Sequence, residues 1–224
     1  MSRRLLLIRH GQTTYNATGR MQGHLDTELS ELGLAQAKQA ADLLAEQGIS
    51  AIVCSDLSRA RATAGVIGER LGLEPTVDAR LRETHLGKWQ GMSSAEVDRD
   101  YPGARAIWRH DPTWAPPEGE SRVDVAKRAR PVIDELMRDP EPWAEGTVLV
   151  VGHGGAIAAL TCYLLGLRHE QYSILSGLKN THWSQLTARP DFDPANPQAS
   201  LEFTAGNVEG AKWYFDGWNM GAGN

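Results

Sequence analysis

Two short apolar segments of this chain end in the same way, and they constrain its fold more than any other feature. Residues 5–8 (Leu-Leu-Leu-Ile) run into Arg9-His10-Gly11, and residues 148–151 (Val-Leu-Val-Val) run into Gly152-His153-Gly154. A continuous apolar run of this length is typical of a parallel strand buried on both faces. Because α/β proteins bind ligands beyond the carboxyl ends of such strands, both histidines are expected at one ligand-binding edge of a sheet.

The rest of the chain alternates between strand-like and helix-like segments. Apolar spacing and capping residues predict helices from Ser30 to Gly48, over residues 58–71, and from Ser121 through Met137 with a kink at Pro131. Further strands are predicted at residues 51–54, at 77–81 (a weaker one), and at 183–186, 201–203 and 213–215, the last three as antiparallel edge strands. This order predicts a three-layer α/β/α sandwich with a mainly parallel sheet.

Composition supports one domain and excludes several classes of function. No linker divides the 224 residues, so we expect a single domain over residues 1–224, with a cap segment at about 84–121 and a mobile Gly-rich tail from about residue 217. A net charge of −5 argues against a nucleic-acid partner. The longest apolar stretch, residues 156–167, is too short to span a membrane, and the start of the chain lacks a secretory h-region.

Cysteine and histidine usage points to a reducing compartment and to chemistry without a metal. Cys54 and Cys162 lie in apolar contexts, which suits packing in the cytoplasm. The seven histidines show no metal-ligand spacing such as HExxH, and there is no CxxC pair. We therefore expect no metal and no cofactor.

Polar residues that could bind an anion follow the predicted strands. Arg9 offers a planar fork suited to phosphate oxygens, and His10 beside it is a side chain that can react, although the tripeptide alone is weak evidence. Arg59 falls in the first turn of a helix, where the dipole disfavours a cation, so it is either a solvated surface arginine or a ligand of an anion.

Glu83 is the one carboxylate in the strand-end sequence Arg80-Leu81-Arg82-Glu83-Thr84-His85. It could serve as an ion-pair partner of its basic neighbours. It could also protonate a leaving group, in which case a nearby dianion and exclusion of water would raise its pKa.

Together these pieces resemble the histidine phosphatase superfamily, the phosphoglycerate mutase-like family, over about residues 5–186. The family motifs R-H-G-x-T-x-x-N, S-D-L-x-R-A, L-R-E and G-H-G-G match residues 9–16, 55–60, 81–83 and 152–155, in that order. No member of the catalytic set is missing, and the set as a whole is far more specific than any one motif.

The resemblance implies a role for each matched residue. His10 would be the nucleophile and form a phosphohistidine, and Glu83 would act as general acid and then general base. Arg9, Arg59 and His153 would clamp the phosphoryl group. The substrate-binding set would also include four further residues of the motifs and their surroundings: Asn16, Gln22, Gly23 and Gly154. A homodimer is also implied.

The choice of phosphate ester depends on the cap. The segment between Glu83 and the second His-Gly is shorter than in the mutases, which favours hydrolysis over transfer. Residues 21–23, 25–33, 81–91 and 114–122 look closest to members that convert glucosyl-3-phosphoglycerate to glucosylglycerate in methylglucose lipopolysaccharide synthesis. The alternatives are a cofactor-dependent phosphoglycerate mutase, a phosphatase for another small ester such as α-ribazole phosphate, and a non-catalytic phosphate-binding module. Trp89, Trp108 and Trp114 lie in or near the cap; at least two are expected to be packing residues, and one could stack on a sugar ring.

Overall fold

The computed structural model describes residues 2–222, and one six-stranded sheet runs through it in the order β3-β2-β4-β1-β5-β6. The strands are β1 Arg3–Arg9, β2 Ile49–Cys54, β3 Thr76–Val77, β4 Thr147–Gly152, β5 Trp183–Arg189 and β6 Lys212–Met220. β1 to β4 are mutually parallel, whereas β5 is antiparallel to both of its neighbours. The predicted mainly parallel α/β sheet is confirmed.

Helices cover both faces of the sheet. They are α1 Thr14–Ala17, α2 Glu31–Leu44, α3 Ser58–Leu71, α4 Ser94–Asp100, α5 Ala104–His110, α6 Arg122–Arg138 and α7 Gly154–Leu164. None in the described part of the chain has the length and apolar character that crossing a membrane requires.

Alternate residues of the central strands supply two separate cores. Leu6 and Ile8 of β1 pack with α2 and α3 on one face, whereas Leu5 and Leu7 pack with α6 and α7 on the other. All four side chains are fully buried. This is why residues 5–8 form an unbroken apolar run: the strand has no solvent-facing side.

The cap segment, residues 84–121, contains α4 and α5 and has a small core of its own. Leu86, Trp89 and Val97 are buried there, with Trp108 and Trp114 packed against them. Because this cluster is separate from the two sheet cores, a change in the shape of the cap need not disturb the packing of the sheet.

The strand predicted at residues 77–81 is wrong in extent. Pairing with β2 stops at Val77, and Ala79–Leu81 form a 3-10 turn instead. The Asp78 carboxylate accepts the backbone N–H of Arg80 at 2.8 Å. That local bond competes with the strand ladder and ends it.

The end of the chain also differs from expectation. Residues 201–203 are not a strand, since a 3-10 helix runs over Pro197–Leu201 and Phe203 packs on the core beside Arg3. β5 is an inner strand and not an edge strand, because β6 pairs with it. Residues 217–220 of the tail that was expected to be mobile belong to β6, which continues to Met220; the mobility of the tail stays a prediction, and residues 223–224 lie outside the described part.

Candidate active site

The carboxyl ends of β1, β2 and β4 meet at one pocket. Its described lining is Arg9, His10, Asn16, Arg20, Met21, Gln22, Gly23, Arg59, Glu83, Thr84, Leu86, Trp108 and Gly155. Parallel strands deliver these residues to the same edge, and the cap contributes Leu86 and Trp108 from above. Most of the residues that the sequence singled out are brought together here.

His10 is held in the tautomer that a nucleophile needs. Its Nδ1 lies 2.7 Å from the carbonyl oxygen of Gly11. Because that oxygen can only accept, Nδ1 carries the proton and Nε2 keeps a free lone pair. Burial, and then the charges of Arg9 and Arg59, hold the pKa of His10 well below its usual value, so the ring is neutral.

Arg9 and Arg59 are buried cations with hydrogen-bonding capacity to spare. Arg9 donates from Nη1 to the carbonyl of Leu178 at 2.6 Å, and Arg59 donates from Nη1 and Nη2 to those of Leu25 and Gly23 at 2.7 and 2.8 Å. The Nε of each arginine has no partner among the described residues.

Burial lowers the pKa of Arg9, and lowers that of Arg59 to about 10. Because arginine is not deprotonated in proteins near neutral pH, both guanidinium groups remain charged. Two buried positive charges with unpaired donors fit a doubly charged anion such as a phosphate ester.

His153 lies behind His10 and not in the pocket lining. The ring centroids are 5.2 Å apart, and Nε2 of His153 is 2.9 Å from the hydroxyl oxygen of Ser55. Burial, followed by the charge of Arg59, lowers its pKa well below the usual value. Its Nδ1 is buried and has no partner among the described residues, so it too is available to a ligand.

Glu83 sits against the N-terminus of α7. Its Oε1 accepts the backbone N–H groups of Thr84 at 2.8 Å and Ala156 at 2.9 Å, and its Oε2 accepts that of Gly155 at 3.0 Å. A helix N-terminus stabilises such a carboxylate. The site can therefore present an oriented carboxyl group in the pocket that His10 also lines.

The side-chain amide nitrogens of Asn16 and Gln22 have no hydrogen-bond partner within residues 2–222. Asn16 accepts on Oδ1 from the backbone of Thr13 and from Asn180, and Gln22 accepts on Oε1 from the hydroxyls of Thr13 and Thr27. Because these bonds use the oxygens, both amide nitrogens remain to donate to an anion in the pocket.

Of the two glycines predicted to bind substrate, Gly23 lines the pocket and Gly154 does not. Gly23 lies in the lining and has φ +54°, a left-handed conformation that glycine adopts without strain. Gly154 does not line the pocket; it packs beside the Arg9 side chain, and Gly155 takes the lining position.

Sequence reasoning missed several residues. Arg20, Met21 and Thr84 line the pocket, and Asn180 donates to the carbonyl of His10 at 2.9 Å. Asn180 lies in a loop outside any motif and carries no signal in the sequence. Of the cap tryptophans, Trp108 faces the pocket, whereas Trp89 and Trp114 are packing residues.

No group of three or more His, Cys, Asp or Glu side chains that could hold a metal ion occurs within residues 2–222. The two cysteines in that range are free, and burial raises the pKa of both thiols to about 11. Their chemistry is not that of reactive thiolates.

Comparison with known proteins gives consistent matches over nearly the full chain. Residues 5–193 match the histidine phosphatase superfamily (branch 1). A glucosyl-3-phosphoglycerate phosphatase of Mycobacterium tuberculosis is 48% identical and covers 99% of this chain and 96% of its own length. A probable phosphoglycerate mutase GpmB of Yersinia pestis is 36% identical over 72% of this chain and 74% of its own.

Solved structures agree. A mycobacterial glucosyl-3-phosphoglycerate phosphatase in complex with VO3 is 49% identical, covers 97% of this chain and 98% of its own, and superposes with a TM-score of 0.85. An α-ribazole phosphatase from Shigella flexneri, at 24% identity over 99% of this chain and 100% of its own and a TM-score of 0.73, shares the fold. The predicted fold class, family and enzyme class are confirmed, and this chain belongs to branch 1 of the histidine phosphatase superfamily.

Proposed function

We propose that this protein hydrolyses glucosyl-3-phosphoglycerate to glucosylglycerate and phosphate through a phosphohistidine on His10. One observation carries the chemistry: a neutral imidazole with a free Nε2 lies in a pocket lined by two buried arginines with unpaired donors. The relatives that carry this activity in their names, 48% identical over nearly all of the chain, support the choice of ester.

The proposed reaction has two displacements. Nε2 of His10 attacks phosphorus as the bond to the glyceryl oxygen breaks, and Glu83 gives that oxygen its proton. Glu83 then takes a proton from water, which attacks the phosphoryl group and breaks the P–N bond, releasing phosphate. Together, the two steps replace one difficult displacement by water with two easier displacements.

Around the reacting phosphorus, the remaining predicted residues have supporting roles. Arg9 and Arg59 would neutralise the charge that the phosphoryl oxygens carry in the transition state, and the neutral ring of His153 would donate a hydrogen bond to them. Asn16 and Gln22 would donate amide hydrogens to the same oxygens, and Trp108 would contact the organic part of the ester. Gly23 would contribute through its backbone, whereas Gly154 would act by leaving room for Arg9.

The mutase alternative has a specific observation in its favour, the 36% identity to a probable phosphoglycerate mutase. Transfer requires that water be kept from the phosphoenzyme. Within the described chain, the cap contains only two α-helices of seven residues each, α4 and α5, and one short 3-10 helix at Gly87–Trp89. A cap this small favours hydrolysis of the phosphoenzyme by water over transfer of its phosphoryl group.

A parallel kinetic comparison tests the assignment. We expect kcat/KM to be highest for glucosyl-3-phosphoglycerate among a panel that includes 3-phosphoglycerate and α-ribazole phosphate, with phosphate released. Interconversion of 3- and 2-phosphoglycerate after priming with the bisphosphate would contradict hydrolysis. A preference for another ester would contradict the substrate.

We further propose that the protein works as a homodimer in the cytoplasm, within methylglucose lipopolysaccharide synthesis. The free, buried cysteines suit a reducing compartment. The edge strand β6 exposes Tyr214 and Phe215, which suits contact with a second copy. Light scattering from purified protein tests the dimer directly: a monomer at micromolar concentration would rule it out.

A further inference from the structure

The segment that carries Glu83 has no regular secondary structure. After the 3-10 turn over Ala79–Leu81, residues 82–86 form neither helix nor strand. The sheet therefore does not hold their carbonyl groups. A proton donor must nevertheless be placed to within a fraction of an ångström, so other contacts have to fix this segment.

A single guanidinium of α6 reaches the segment. Arg128 donates from Nη1 to the carbonyl oxygens of Arg80 at 2.7 Å and Arg82 at 3.2 Å, and from Nη2 to that of Glu83 at 3.2 Å. Glu120 accepts the remaining N–H groups, from Nε on Oε1 at 3.0 Å and from Nη2 on Oε2 at 2.9 Å. All five guanidinium hydrogens thus have a partner, which fixes the plane of the group.

Two neighbours extend this network. Glu120 forms two hydrogen bonds with His85. Its carboxylate accepts the backbone N–H of His85 at 2.9 Å, and its own backbone N–H donates to the carbonyl of His85 at 2.8 Å. Nε2 of His24 lies 2.7 Å from the carbonyl oxygen of Glu83. The side chains of Arg128 and Glu120 are 23% and 25% exposed, so solvent screens this pair less than a surface pair.

We propose that Arg128, oriented by Glu120, is a positioning residue for proton transfer by Glu83. It fixes the main chain on one side of residue 83, while the N-terminus of α7 holds the carboxylate on the other. Arg128 is not in the pocket lining and so acts through Glu83 without touching substrate. The inference rests on the acid–base role proposed above for Glu83.

The leaving group distinguishes this role from a merely structural one. An alkyl ester needs its leaving oxygen protonated, whereas p-nitrophenolate leaves without help. Because kcat/KM reports the first displacement, in which the leaving group departs, we expect Arg128→Gln to lower kcat/KM on glucosyl-3-phosphoglycerate by ~10-fold or more and on p-nitrophenyl phosphate by less than ~3-fold. Arg130→Gln is the matched control: Arg130 lies on the same helix and pairs with Asp134. It should change neither rate.

A double-mutant cycle completes the test. In a Glu83→Gln background, Arg128→Gln should have no further effect on the alkyl ester, because the residue through which it acts is gone. Equal losses on both esters, or additive losses in the cycle, would overturn the proposal. If Arg128→Gln does not fold, Arg128→Lys serves instead, and a smaller loss with the same split between esters is expected.

The two proposals fail in different ways. If Glu83→Gln alone reduces both esters equally, the proposed acid role of Glu83 is wrong. If Glu83→Gln separates the two esters and the Arg128 variants do not, only the positioning role is wrong.

Discussion

At the scale of single residues, the site combines two buried, charged arginines with two buried, uncharged histidine rings. Burial, together with the charges of Arg9 and Arg59, lowers the pKa of His10 and keeps the ring neutral. The two arginines also carry positive charge that no carboxylate neutralises through an ion pair within the described chain. Buried charge without a partner destabilises a fold. A bound phosphate removes that penalty, which couples affinity for the substrate to the folding free energy.

The buried histidines give the folding free energy a specific pH dependence. His10 and His153 have folded-state pKa values well below the usual value near 6.5. Below pH ~6.5 the unfolded chain binds protons that the folded chain does not, so this contribution is complete above pH ~6.5 and is lost as the pH falls. Between pH 7 and 5.5, we expect the unfolding free energy of the wild type to fall by about 1 kcal/mol more than that of His10→Gln.

Urea unfolding in a phosphate-free buffer measures this difference. Parallel pH curves for the two proteins would show that the ring of His10 is not held neutral by its surroundings.

The acid role of Glu83 predicts a selective defect. Glu83→Gln keeps the shape of the side chain but removes the transferable proton. We expect kcat/KM, which reports the step in which the leaving group departs, to fall by ~10²–10⁴ on glucosyl-3-phosphoglycerate and much less on p-nitrophenyl phosphate. Glu118→Gln is the control, because that carboxylate is exposed and pairs with Lys88 on the cap. It should leave both rates unchanged.

At the scale of elements, the site depends on where strands stop and helices begin. His10 follows β1, His153 is the residue before α7, and Arg59 is in the first turn of α3. The first N–H groups of α3 and α7 donate to carboxylates, that of Ser58 to Asp26 and those of Gly155 and Ala156 to Glu83. In this way α7 orients the proposed acid as well as covering the sheet.

The close approach of α7 to Glu83 requires glycine at residue 155. A Cβ there would lie 2.7 Å from Oε1 of Glu83. We expect Gly155→Ala to displace the carboxylate and to lower kcat on the alkyl ester by ~10–10²-fold. Gly65→Ala in α3 is the matched control, since a Cβ there meets nothing within 4 Å. Its activity should be that of the wild type, with equal or greater thermal stability.

Steady-state kinetics and thermal melts of both variants provide the check. Full alkyl-ester activity in Gly155→Ala would mean that the position of the Glu83 carboxylate is not critical.

Strands whose apolar residues are buried in the core could be predicted from the sequence. Element ends that depend on a local hydrogen bond from the backbone to a side chain could not. The apolar runs of β1 and β4 are buried on both faces, so their identity follows from composition alone. The end of β3 at Val77 depends instead on one bond from Asp78 to the backbone. The edge strand predicted at residues 213–215 is confirmed within β6, but its continuation through Gly217 to Met220 was not predicted, because a Gly-containing edge strand cannot be distinguished by pattern from a loop.

At the scale of the whole molecule, the pocket combines parts predictable from the sequence with parts that depend on tertiary packing. His10, Arg59 and Glu83 stand next to strand or helix ends in the sequence, so their convergence could be inferred. Arg128 and Asn180 contact the site from residues distant in sequence, and neither belongs to a motif. Their roles depend on how α6 and the loop before β5 pack, which periodicity does not encode.

The complete set of charges in the pocket makes a metal unnecessary to the proposed chemistry. In the proposed mechanism, Arg9 and Arg59 would supply the neutralisation that a divalent cation otherwise provides, and the neutral His153 would add a hydrogen bond. We therefore expect activity on glucosyl-3-phosphoglycerate to be unchanged after dialysis against EDTA. A reversible loss that Mg²⁺ restores would contradict this expectation.

The central claim is that one neutral imidazole accepts the phosphoryl group during turnover. Mixing enzyme with labelled substrate, quenching in alkali and mapping the peptides by mass spectrometry tests it most directly. We expect one phosphoryl group on His10 and none on the His10→Ala variant, which should also show no turnover. A label on any other residue, or turnover with no covalent intermediate, would contradict it.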